Sequence, residues 1–377
     1  MDFQGRRERL AAALEQQAID LLFSPPSGDL EYLTGFPRRN ASFGNFEYAH
    51  QWTAGAFLRP GREPLFVVPR GFAAFNLPRG VEGELVEVDY LDDPVERLRS
   101  ALDRLGGARR VAISARTWGS TTLELQAALP EASFVNADAT LNALRRIKDS
   151  DEIAALAQAS RIADAVMAEL VGRVAAGVTE LELASEVDFQ LRRLGARTPA
   201  FDTGAYAMGP HVEGRDASSR VSARPLARGD AVSFDFGGVV EGYCSDFGRT
   251  VYVGEPDEEF VSCHAIVVAA EAAGIAAAVP GATAAAVDRA TRAVIEDAGY
   301  GTWYRHRTGH CIGLDTHERP FLSIEDTTPL EPGMTFTIEP SILWPGRLGV
   351  RVEDLLVLEQ DGCRNLNAFH HDLLATG

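Results

Sequence analysis

Five residues of this 377-residue chain have types and settings that could do chemistry together: Asp235, Asp246, His310, Glu339 and Glu353. Asp235 lies in Val232-Ser233-Phe234-Asp235-Phe236 and Glu339 in Phe336-Thr337-Ile338-Glu339-Pro340, acidic groups set among apolar strand formers. A lone charge in such a place is strongly unfavourable unless it is paired or coordinates a metal. Four carboxylates and one imidazole bring four negative charges, which two divalent ions would balance. Mixed oxygen and nitrogen donors suit Mn, Co, Fe or Zn. Two such ions a few ångström apart can bind and deprotonate a shared water while polarising a carbonyl. In Val350-Arg351-Val352-Glu353 the period-two alternation of a strand puts Arg351 and Glu353 on one face, so the arginine can hold the carboxylate in place from outside the ligand set.

The elements that must position these residues fall into two domains. Residues 1–145 alternate short apolar strands (21–23, 54–58, 64–68, 85–88 and 110–113) with helical stretches (6–17, 94–105 and 121–129), an α/β pattern. The charged segment 141–149 marks the boundary, and Asp149 with Glu152 has the spacing of a capping box opening a helix whose apolar face is Ile153, Leu156, Ala163, Val166, Leu170 and Val174. The second domain spans 150–377 and repeats itself. Gly177-Val178-Thr179 and Gly195 recur 104 residues later as Gly281-Ala282-Thr283 and Gly299, each set bracketing the second helix of a helix pair. Strands follow each pair: 231–236 and 242–253 in the first half, 334–338 and 349–358 in the second. Adding 104 to Asp235 gives Glu339, so a strand carboxylate in one half has a counterpart in the other. The expected fold class is therefore α+β, an ααββ unit duplicated about a pseudo-twofold behind a smaller α/β domain.

Composition narrows the classes of function. The formal charge of −18 (36 basic against 54 acidic residues), with Lys148 the only lysine, gives no basic face for a phosphate backbone, so nucleic acid is not an expected partner. The start of the chain is polar and lacks the pattern of a secretory signal, which points to the cytoplasm. The longest charge-free window, 272–287, contains Pro280 and Gly281 and falls short of the ~20 apolar residues of a membrane span, so no membrane is expected either. Cys244, Cys263, Cys311 and Cys363 are far apart with no CxxC spacing and read as reduced, mostly buried small hydrophobes.

The motifs resemble those of the creatinase/prolidase/methionine aminopeptidase superfamily, the M24 metallopeptidases with the pita-bread fold. The matching residues are Asp235-Phe236-Gly237, Gly242 to Thr250 around Asp246, Thr308-Gly309-His310-Cys311-Ile312-Gly313 with His317-Glu318, Thr337 to Pro340, and Arg351 to Asp354. The ligand separations of 11, 64, 29 and 14 are similar to those of compact prolidases, and residues 1–145 look like the creatinase-type N-terminal domain. The resemblance implies two divalent ions per chain, Mn first and Co, Zn or Fe as alternatives, with Asp246 and Glu353 bridging them, Asp235 on one, and His310 and Glu339 on the other. It further implies that His306 and His317 contact substrate and stabilise the tetrahedral intermediate, that Glu339 handles the proton of the attacking water, and that Arg351 belongs to the catalytic group. The implied activity is an Xaa-Pro dipeptidase or aminopeptidase P: a short proline-containing peptide cleaved by a metal-bound hydroxide, in a homodimer.

One stretch departs from the pattern. Where such relatives carry a substrate-contacting histidine this chain has Ser218, in a loop about two residues longer than usual, and either His211 fills the gap or it is a plain surface residue. Arg215 and Arg220 are alternative carboxylate binders there. The polar, aromatic segment 38–50 is either a loop closing over an active site, in a neighbouring subunit of a dimer, or ordinary surface. Two other functions stay in view: a metal-dependent hydrolase of a small amide or amidine, like creatinase or ectoine hydrolase, and a non-catalytic binding module on the same fold.

Overall fold

The computed structural model describes residues 1–37, 48–78, 80–212 and 221–377, in two compact units, Met1–Arg145 and Arg146–Gly377. The first unit is built on a six-stranded sheet in the order Glu84–Val88, Leu65–Pro69, Gly55–Leu58, Leu21–Ser24, Arg110–Ile113, Ser133–Asn136. Gly55–Leu58 is antiparallel to both of its neighbours and the other three pairings are parallel. Its central strands are apolar because helices cover them. Four elements go beyond the sequence reading: the helices Gly28–Thr34, Arg70–Asn76 and Asp138–Arg145 and the strand Ser133–Asn136. The first of these is only seven residues long, held by its ends: the Ser27 hydroxyl accepts from Leu30 N–H, and Gly35 closes the helix at φ 72°.

In the second unit the duplication seen in the sequence extends to the backbone. Helix Glu180–Arg193, opened by a Thr179 capping box with Glu182, has its counterpart 104 residues on in Ala284–Asp297, capped by Thr283. Val178 O accepts from Leu226 N–H, and Ala282 O from Leu330 N–H. Thr179 bridges Pro225 as Thr283 bridges Pro329. Gly229 and Gly333, also 104 apart, both take a left-handed φ near 90° that a residue with Cβ adopts only under strain. Before each half stands a longer helix, Ser150–Val171 with the predicted Asp149/Glu152 capping box, and Glu258–Ala277. The latter, at 20 residues, is long and apolar enough to cross a membrane by length and composition alone. The charge-free count passed over it because of its glutamates, and in the structure Phe260, Cys263, Val267 and Ala270 pack into a core.

The helices back two sheets. One runs Leu374–Thr376, Phe247–Val253, Ala231–Phe236, Gly204–Met208, and the other Glu318–Leu322, Gly309–Cys311, Thr335–Ile338, Asp354–Glu359, Gly362–Asn365. Two long strands expected from the sequence are each interrupted. The 242–253 run breaks between Tyr243–Cys244 and Phe247–Val253, and the 349–358 run breaks between Leu348–Arg351 and Asp354–Glu359. The breaks fall at Ser245-Asp246 and Val352-Glu353, so two of the five candidate ligands sit where the backbone leaves the ladder.

Candidate metal centre

The seam between the two halves is closed by backbone. Gly248 pairs with Asp235 across one sheet and, on its other side, forms an isolated bridge with Glu353, exchanging N–H···O bonds of 3.2 and 3.0 Å. Only glycine fits there: a Cβ on residue 248 would stand 2.9 Å from Glu353 Oε2 and 3.1 Å from Arg351 Cδ. Gly309, beside His310, is as constrained, since its Cβ would meet Thr337 O at 1.9 Å.

Around this seam the five predicted ligands and Arg351 converge. His310 Nε2 lies 3.3 Å from Asp246 Oδ2 and 3.5 Å from Glu339 Oε1. These separations exceed most hydrogen bonds and match the ~3.3 Å between two donor atoms held ~2.0–2.1 Å from a tetrahedral ion. Asp246, His310 and Glu353 bring one ligand atom each within 4.8 Å of one another, all three buried. Arg351 hydrogen-bonds Asp235 Oδ2 at 2.6 Å and lies 3.8 Å from both Glu339 and Glu353. Asp246 Oδ1 and Glu353 Oε2 are buried without a hydrogen-bond partner. Two orphaned carboxylate oxygens beside a buried imidazole are what a cation would satisfy, so the residues fit a divalent metal.

The electrostatics agree. Burial, reinforced by neighbouring carboxylates, pushes the acids of Asp246 and Glu339 up and that of Glu353 far up. Burial works against a charged His310, yet the adjacent Asp246 and Glu339 carboxylates raise it above its ordinary value. Partial burial works against Arg351 as well, and Asp235, Glu353 and Glu339 still hold it charged. One cation among four acids leaves the group short of positive charge.

The flanking histidines differ. His317 is exposed, its ring edge-on to His310 at 4.3 Å between centroids. His306 has both nitrogens engaged: Nδ1 is 2.7 Å from Arg307 O and Nε2 is 2.5 Å from Ser341 Oγ. A carbonyl only accepts, so Nδ1 carries the proton and Nε2 accepts from the serine hydroxyl. Burial and Arg351 push its pKa down to about 3, so the ring stays neutral, and its single N–H is held by Arg307 O and not free for an oxyanion. His211 is exposed, in the turn after strand Gly204–Met208. Arg215, Ser218 and Arg220, and residues 38–47 of the other singled-out segment, lie outside the described residues.

Sequence reasoning missed Tyr206. Its ring folds back over Gly204, where a Cβ would meet the hydroxyl at 2.9 Å, and it is near enough to Arg351 to act on its charge. Gly204 is the residue paired with Asp235. The repeat contained the signal, because 206 plus 104 is 310. Tyr206 pairs with Ser233 on its strand as the His310 N–H reaches Thr337 Oγ1, also 104 residues apart.

A second acidic and imidazole group, Glu271, Asp354 and His371, lies behind Glu353. Here His371 Nε2 is hydrogen-bonded to Asp354 Oδ2 at 2.7 Å and lies 3.2 Å from Glu271 Oε2. Asp354 also accepts from Arg249 at 2.7 Å, and despite burial these bonds hold its carboxyl below the ordinary range. Arg249 in turn donates to Glu353 O at 2.9 Å, so this network clamps the backbone of a ligand rather than forming a centre like the first.

With this geometry established, residues 154–360 match the model of metallopeptidase family M24, and residues 6–147 match the creatinase/prolidase N-terminal domain. The chain belongs to metallopeptidase family M24. The uncharacterized peptidase YqhT of Bacillus subtilis is 30% identical over 97% of this chain and 99% of its own. Among solved structures, a prolidase from Thermococcus sibiricus superposes with a TM-score of 0.89 at 28% identity over the whole of both chains. An Xaa-Pro dipeptidase from Bacillus anthracis superposes at 0.85 and 28%, covering 99% of this chain and 100% of that one. The α+β fold with a creatinase-type first domain is thus an M24 architecture, and M24 metallopeptidases use divalent metal ions.

Proposed function

We propose that this M24 peptidase is a dinuclear metal-dependent exopeptidase hydrolysing Xaa-Pro bonds in dipeptides or short peptides. The observation that carries the metal reading is the pair of buried, unpartnered oxygens, Asp246 Oδ1 and Glu353 Oε2, beside His310. The substrate class draws on the whole-chain likeness to a prolidase and an Xaa-Pro dipeptidase.

In this reading two divalent ions would be held by Asp235, Asp246, His310, Glu339 and Glu353, with Asp246 and Glu353 serving both. Bound there, divalent ions make a water acidic near neutral pH and polarise the scissile carbonyl. The chain's own residues do the rest. Glu339, its proton affinity raised by burial, is suited to take the water's proton and pass it to the leaving nitrogen. Arg351 orients Asp235 through the 2.6 Å bond and keeps the cluster from collapsing on its own repulsion. His317, exposed and edge-on to His310, would donate to the developing oxyanion. His306 serves first as a support for Ser341, at the start of the hairpin that carries Arg351.

The test is metal content together with turnover of a substrate panel by Mn-loaded and Co-loaded protein. Two ions per chain and cleavage of Xaa-Pro dipeptides or tripeptides are the expected result. Preferential turnover of creatine or ectoine would instead mark a non-peptide hydrolase, and full activity in metal-free protein would overturn the mechanism.

A further inference from the structure

The only lysine of the chain is buried. Lys148 Nζ lies 2.9 Å from Glu318 Oε2, with side chains 1% and 4% exposed. Its backbone N–H donates to Gly333 O at 2.9 Å, and the next residue is the N-cap of helix Ser150–Val171, so the ammonium extends from a fixed stretch of main chain.

Its partner sits at the root of the loop that carries His317. Glu318 begins strand Glu318–Leu322 and pairs with Cys311, next to His310. Glu318 Oε1 accepts from Asp315 N–H at 3.3 Å, and the loop wraps its carboxylate so closely that a Cβ on Gly313 would be 2.8 Å from Oε1. Gly313 O accepts from Cys244 N–H at 2.8 Å, two residues before Asp246. Loop 312–317 is thus folded around one buried carboxylate, and His317 is the residue just before it.

A buried ion pair is seldom more stabilising than apolar residues of the same volume, so stability alone does not account for keeping one here. We propose that Lys148 is a positioning residue of the hydrolytic site: by pinning Glu318 it sets loop 312–317 and aims the His317 ring across His310. The proposal rests on the role given to His317 above.

The test separates position from stability. Lys148→Met takes the ammonium away from the buried Glu318 carboxylate, and it should lower both thermal stability and turnover. The double variant Lys148→Met with Glu318→Leu removes both charges and should regain stability, with two ions still bound. If the pair positions His317, kcat in the double variant stays ~10- to 100-fold low, as for a reacting group displaced by about an ångström, while KM changes little. Recovery of kcat along with stability would overturn the proposal. A second readout needs no turnover: an amine-reactive ester meets only Lys148 and the N-terminus. Lys148 should resist it in the native protein, and Glu318→Gln should speed its labelling. Rapid labelling of native Lys148, or no change in Glu318→Gln, would also overturn the proposal. A wild-type protein inert toward every Xaa-Pro peptide would instead count against the substrate reading, and the labelling would still decide whether the pair holds the loop.

Discussion

The two halves of the repeat share a scaffold and divide the chemistry unequally. In the first half Asp235 is half-buried, hydrogen-bonded to Arg351, and faced by Tyr206. In the second half Glu339 and His310, at the same two positions, are buried and lean on each other. Backbone devices such as the left-handed glycines and threonine caps recur with little change, whereas the groups facing the seam have diverged. Duplication thus accounts for where side chains point, and local charge accounts for what each does.

The two residues, one from each half, inferred to serve both ions should matter most. Asp246→Asn and Glu353→Gln should each abolish turnover and lower metal content at both positions, as measured by elemental analysis; an active variant with two ions would remove these residues from the bridge. Next, His317→Ala should lose ~10²- to 10³-fold in kcat with both metals retained. Metal loss in that variant would move His317 into the ligand set. The comparison is sharpest at the repeat-related pair. His310→Phe should lose metal, while Tyr206→Phe should keep it and lose ~10- to 100-fold in activity, the usual effect of a group that orients a ligand. If both lost metal, the halves would be chemically equivalent after all.

A smaller effect concerns pH. In metal-free protein Asp246, Glu339 and Glu353 hold their protons above the ordinary carboxylate range, so their contribution to stability is complete below that range and is lost as pH rises through the raised values. Metal displaces those protons, and the gain in Tm on adding Mn or Co should therefore grow as pH rises from the ordinary carboxylate range through the raised values. Calorimetry with and without chelator checks this, and a gain independent of pH would mean the acids were already ionised. The smallest effect is at the caps. Thr179→Ala breaks a complete capping box and Thr283→Ala a single bond to Ala286 N–H, so the first should be the more destabilising within a range of ~0.5–2 kcal/mol by denaturant unfolding.

Much of this was legible in the sequence because it is periodic or costly. Carboxylates among strand residues demanded a cation, and the 104-residue offset gave the duplication from two glycines and a threonine in each half. The strand interruptions at Asp246 and Glu353 were not legible, since both runs keep enough β-forming residues to read as continuous. Tyr206 was invisible for a related reason: a tyrosine in a strand is ordinary, and only its register opposite Ser233 makes it the counterpart of His310. Nor could residue type reveal that the Ser341 hydroxyl occupies His306, because the two are 35 positions apart.

The C-terminal strand has one more consequence. Leu374–Thr376 runs parallel to Phe247–Val253, so the last residues of the chain complete the edge of the first half's sheet. A chain cut in the turn at Glu255-Pro256 would give two pieces, one with Asp235 and Asp246, the other with His310, Glu339, Glu353 and the strand the first piece lacks. Neither fragment holds a working set of groups, and each needs the other to finish its fold. Mixing the pieces would therefore make enzyme activity a direct reporter of their reassembly.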